Sequence, residues 1–171
     1  MRLQEAMPMF QALEILTVLV VAVAMALALA HALELPGKMR LSKEQYLAVQ
    51  PIYYPGFTFG GVTEPLGLIM ILALIVLTPP FSGTYWLTAG AFVALLAMHA
   101  IYWMVTHPVN NFWLKENQLE GARKHFFAFR SDGDGDTPDW TVLRDRWERS
   151  HVFRAVFGLI SLILLVAAVA V

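Results

Sequence analysis

Apolar residues run almost unbroken through four segments of the chain, residues 9–33, 57–77, 84–106 and 151–171, while the polar residues collect between them. A helix crosses hydrocarbon in about 20 residues, so each segment is long enough to span. Lipid offers no partner to backbone N–H and C=O groups, which makes the closed helix the form such runs must take. The pattern therefore predicts an all-α membrane protein, a four-transmembrane-helix bundle forming one domain over residues 1–171. The first run is longer than the ~7–15 apolar residues at the heart of a signal peptide, and Arg2 ahead of it is balanced by Glu5, so it is expected to span rather than be cleaved.

The connections are unequal. Thr78-Pro79-Pro80-Phe81-Ser82-Gly83 is a tight Pro/Gly turn that makes the second and third spans antiparallel neighbours. Between the first two spans, Ser42 followed by Gln45 has the spacing of a capping box for a short interfacial helix, and Tyr46, Tyr53 and Tyr54 suit the membrane interface. A long polar loop is expected over residues 108–150. Within it Asp132, Asp134 and Asp136 imitate the start of a calcium-binding loop, but Thr137 and Leu143 stand where such a loop needs Gly and Glu, so a solvated acidic turn is expected.

Composition agrees with the pattern: 58% of residues are hydrophobic and only 15% charged, which places the chain outside the soluble class. The formal net charge of −1 carries no basic surface for nucleic acid. With no cysteine, any metal must be held by His, Asp, Glu or Asn. Lys and Arg crowd the first and third connections, whereas Arg2 alone flanks the N-terminus. By the positive-inside rule the segments 35–56 and 108–150 are cytoplasmic and both termini lie outside, and the short connections favour a bacterial inner membrane.

The same order of spans brings the unusual polar residues to one end of the bundle. His31 and Glu34 close the first span three positions apart, Glu64 lies inside the second, and His99, Trp103, Thr106 and Asn110 follow helical spacing down the third, with His107 and Asn111 beside them. Trp147, His151 and Arg154 share one face of the fourth. An ionisable group within a span costs on the order of 2.5–3.5 kcal/mol, so such groups face the bundle interior and pair. A polar pocket is expected, with Glu64 paired to Arg154 or to a protonated His. Each residue also has a plainer reading: Arg154 and His151 can snorkel to the headgroups, His99 can be a hydrogen-bonded core residue, and Glu14 is expected at the opposite interface.

Thr-His-Pro-Val-Asn-Asn at 106–111 and Trp-Glu-Arg-Ser-His-Val-Phe-Arg at 147–154, leading into a terminal apolar helix, resemble the anthrone-oxygenase-like family of small four-helix membrane proteins. Pro108, Asn110, Trp147, His151 and Arg154 carry the match. The resemblance implies oxidation of an anthrone-like or phenolic substrate by dioxygen, with no metal or flavin. It implies His151, or else His31, as the base, Arg154 and Asn110 as donors to a developing oxyanion, and Trp103, Trp113 and Trp147 as walls for a flat ligand. Two alternatives stay open from the residues. His31, Glu34, Glu64, His107 and His151 suit a metal or a haem, and exposed Trp and Arg side chains would suit an accessory subunit of a larger membrane complex.

Overall fold

The computed structural model of the chain describes residues 2–110 and 139–171. Among these there is no strand, and four helices are long and apolar enough to cross a membrane, Met7–Lys38, Gly56–Leu77, Gly83–Asn110 and Trp140–Ala170. The protein is an integral membrane four-helix bundle. Trp113, Asn111 and the Asp132–Asp136 turn lie outside the described residues.

Helix α1 (Arg2–Lys38) runs through Pro36 and so ends beyond the expected boundary near residue 33. The extra turn is held by an ion pair between Glu34 and Lys38 at 2.9 Å, one turn apart. Helix α2 (Lys43–Val49) begins with the anticipated capping box, the Ser42 hydroxyl accepting from the Gln45 amide and the Gln45 side chain accepting from the Ser42 amide. A 3-10 turn (Gln50–Tyr53) and a short helix α3 (Gly56–Gly60) follow. The second span is thus broken at Gly61-Val62, and its long part is α4 (Thr63–Leu77).

Helix α5 (Gly83–Ile101) is capped by the Ser82 hydroxyl and continues to Asn110 through a π-helical turn at Tyr102–Thr106. Helix α6 (Trp140–Ala170) is capped by Asp139, which accepts from the Thr141 amide at 3.0 Å. It therefore starts eleven residues before His151, and the expected loop 108–150 is helical at both ends, Pro108–Asn110 and Trp140–Ser150. The reason is a face that hydropathy does not report: Trp147, Glu148 and Ser150 are all buried, and they keep this polar turn docked on the bundle.

α6 packs between α1 and α5, and α4 packs on both α1 and α5. Small residues set the spacing. A Cβ on Gly158 of α6 would lie 3.2 Å from the Met25 Cα of α1, and the Ser161 hydroxyl donates to the Ala91 carbonyl of α5 at 2.8 Å. Val21, Ala24, Ile71, Leu95, Met98 and Leu165 fill the middle of the bundle. The larger apolar side chains at Leu19, Ile69, Val93 and Ile163 are left facing outward, as lipid requires.

Candidate functional site

Below this apolar middle the bundle opens into a cavity of about 370 Å³. Its deep wall is polar and buried: Glu64 at the start of α4 is 4% exposed, His151 and Arg154 on α6 are 4% and 7% exposed, and His31 near the end of α1 is 4% exposed. Glu64 is tied on both oxygens. Arg154 donates through Nη2 to Oε1, and the His99 Nδ1 lies 3.2 Å from Oε2.

The partners fix the histidine tautomers, because Arg, Lys and Trp nitrogens only donate. Trp103 donates from Nε1 to the His99 Nε2 at 3.0 Å, so the His99 proton sits on Nδ1 and points at Glu64. Arg154 donates from Nη1 to the His151 Nδ1 at 3.1 Å, so the His151 proton sits on Nε2. Lys38 donates from Nζ to the His31 Nδ1 at 3.3 Å, and the His31 proton likewise sits on Nε2. Among the described residues neither the His151 Nε2 nor the Arg154 Nε, both buried, has a hydrogen-bond partner. Buried donors of this kind are costly unless something accepts from them.

The aromatic residues pack closely around these donors. The His31 and His151 rings lie 4.1 Å apart between centroids, and the Trp147 ring is 4.3 Å from His151 and 5.0 Å from His31. Trp147 is itself held by donating to the Asn110 Oδ1 at 2.7 Å. The Arg154 guanidinium rests 5.1 Å above the Tyr102 ring. Trp103 lines the cavity but is half exposed. His107 is not among its lining residues and packs on Trp103 instead, 4.9 Å between ring centres.

A second polar cluster stands beside the cavity around Lys38, only 5% exposed. Besides His31, its ammonium reaches Glu34 at 2.9 Å and Glu148 at 3.6 Å, and it lies 4.6 Å over the Tyr53 ring and 4.9 Å over the Trp147 ring. Tyr46 donates to Glu148 at 2.9 Å and Tyr53 to Glu34 at 2.6 Å, which pins the connection 39–55 down as a roof. Burial and the neighbouring Glu148 push the Tyr46 phenol well above its ordinary range. Burial and the hydrogen bond to Glu34 do the same for Tyr53.

Of the residues singled out from sequence, His31, Tyr53, Tyr54, Glu64, His99, Trp103, Thr106, Asn110, Trp147, His151 and Arg154 line this same cavity, and Glu34 lies outside it with Lys38. Among the described residues no three His, Asp or Glu side chains come together as a metal-ligating set, so His31, Glu34, Glu64, His107 and His151 are not gathered around one point. Sequence reasoning missed Lys38, Tyr102 and Glu148 and treated Tyr46 and Tyr53 as interfacial. A signal for Lys38 was present: it follows His31 by seven and Glu34 by four, the same helix face.

A sequence-family model described as anthrone oxygenase matches residues 53–164. That stretch holds Tyr53, Glu64, His99, Asn110, Trp147, His151 and Arg154, while His31, Glu34 and Lys38 precede it. No curated protein and no solved structure matches the chain.

Proposed function

The chain belongs to the anthrone oxygenase family, and from that premise we propose that it is a cofactor-independent oxygenase acting on an anthrone-like or phenolic aromatic substrate. The observation that carries this reading is the set of buried donors without acceptors, His151 Nε2 and Arg154 Nε, in the wall of an aromatic-lined cavity. Such donors are suited to an oxyanion that develops during reaction. The polar groups face inward, which favours a ligand pocket over an outward docking face for a larger complex.

The tautomers support a division of roles. His151 and His31 offer N–H groups to the substrate oxygen because their acceptor nitrogens are occupied by Arg154 and Lys38. Glu64 is the one carboxylate among the described lining residues and takes the proton from the acidic C–H, while Arg154 remains close to the anion formed. His151 can serve as the base only after its tautomer switches. The resonance-stabilised carbanion passes an electron to dioxygen, and the radical pair combines to a peroxide. Loss of water then leaves one oxygen atom as a new carbonyl and carries away the other with both hydrogens of the original CH₂. Asn110 holds Trp147 in the wall at 2.7 Å. The same proposal puts the chain in a bacterial inner membrane with both termini outside, supported by Arg40 and Lys43 in the first connection.

The test is dioxygen uptake by detergent-purified protein with a hydroxylated anthrone, together with metal analysis and an absorption spectrum. Glu64→Gln keeps an acceptor for Arg154 but loses the base. It should lower turnover about 100-fold or more, the ordinary contribution of a positioned base, while still binding a hydroxyanthraquinone. Uptake by the wild type no faster than in buffer would sink the oxygenase reading. Full activity in Glu64→Gln would return the base to His151. A stoichiometric metal or haem band that disappears in His151→Ala would replace the cofactor-free reading with a metalloprotein.

A further inference from the structure

The cavity has a buried side and an exposed side, and the exposed side is apolar. Phe59, Val62 and Trp103 line it and are 73%, 61% and 50% exposed. The first two stand where α3 passes into α4, and the third lies on the π-helical turn of the next span. Towards the aqueous end the cavity is roofed by Gln50 and Tyr53, which are 3% and 7% exposed. Val62 is six residues inside the span Gly56–Leu77 and Trp103 seven residues inside Gly83–Asn110. The rim therefore lies away from the ends of both spans, along their apolar length.

We propose that the ligand enters sideways from the bilayer, through a mouth between α4 and α5 bounded by Phe59, Val62 and Trp103, and not through the roof. The ligand is then an uncharged planar aromatic dissolved in the membrane, which reaches the polar wall without crossing water. An aqueous route would have to part Tyr53 from Glu34, a hydrogen bond of 2.6 Å. Gly61, between Phe59 and Val62, also lines the cavity. The proposal rests on the cavity being a ligand site and not on the oxygenase reaction.

The chain has no cysteine, so Val62→Cys carries a single fluorescent label. In lipid nanodiscs this label should be quenched strongly by nitroxide on the upper acyl chain and weakly by aqueous iodide. The reverse pattern would overturn the proposal, and this arm needs no ligand, so it stands if the oxygenase reading fails. In the second arm a hydroxyanthraquinone is bound from lipid and its rates are followed by stopped flow. Val62→Trp, a plug at an exposed position, should slow binding and release together by tenfold or more with little change in affinity. Ile52→Trp, on the roof and 77% exposed, should leave both rates as they are. Slowing by Ile52→Trp and not by Val62→Trp would show entry from water and refute the lateral mouth.

Discussion

Replacing Lys38 by Met tests whether one ammonium holds the roof on the bundle. Its Nζ lies 3.6 Å from the Glu148 Oε1, a separation worth about 4–5 kcal/mol of attraction at an effective dielectric constant of about 20. Glu148 has no solvent exposure, so water cannot replace the lost cation. Glu34 is closer, at 2.9 Å, but its side chain is 43% exposed and solvent screens most of that attraction. Met preserves the length of the aliphatic stem, so little packing is lost. Breaking a buried pair from one side costs about 3–5 kcal/mol, a large part of the ~5–15 kcal/mol that ordinarily separates folded from unfolded chains. The assay is reversible unfolding in mixed micelles, followed by tryptophan fluorescence. Adding Glu148→Gln to Lys38→Met removes the stranded charge and should restore about 2 kcal/mol, the size of coupling expected between contacting groups. A Lys38→Met protein within about 1 kcal/mol of the wild type, or a double variant no more stable than the single, would refute the reasoning.

Other positions give sharp contrasts. Gly158→Leu should cost about 1–3 kcal/mol by overpacking, because the new side chain meets the Met25 backbone of α1. For Gly158→Ala the helix-propensity gain of about 1 kcal/mol offsets the milder contact, and equal unfolding midpoints for the two variants would refute the close approach. Stability should also fall at high pH: Tyr46 and Tyr53 have raised folded-state values, so their contribution is complete below the unfolded value of about 10 and is lost as pH rises past it. Tyr46→Phe should flatten that decline between about pH 9 and 11, and an unchanged slope would show that another group controls it.

The spans were legible because hydrocarbon imposes a length and leaves one way to satisfy the backbone. The ends were not, since a helix that leaves the membrane is held by particular partners. Trp140–Ser150 reads as polar loop, yet Glu148 and Ser150 are buried against Tyr46, Lys38 and Thr106, contacts 44 or more residues apart in sequence that no local window reports. Pro36 similarly suggests a stop, but Lys38 beyond it is anchored and the helix continues. The site residues on one face of each span were legible through spacing. Their protonation was not: whether His151 offers a lone pair or an N–H depends on the Arg154 nitrogen 3.1 Å away, one turn along the same helix. The π-helical turn also had no visible cause in Tyr102–Thr106.

The pairing of Glu64 with Arg154 bears on how such a pocket handles charge. On the proposed lateral route an uncharged ligand would meet a wall whose one carboxylate among the described residues is already paired with Arg154, so entry would bring no new charge into a medium of low dielectric. In the proposed reaction, proton transfer to Glu64 extinguishes one negative charge as the substrate acquires another. The guanidinium, freed from the carboxylate, keeps its Nε and the neighbouring His151 Nε2 unpartnered for the new anion. The number of charges in the pocket does not change, and the negative one moves only from Glu64 to the substrate. Creating an ion in this environment would cost many kcal/mol, whereas relocating one beside a fixed cation and prepositioned donors costs far less. The buried ion pair links α4 and α6, and under the proposed reaction it would also serve as a charge reserve.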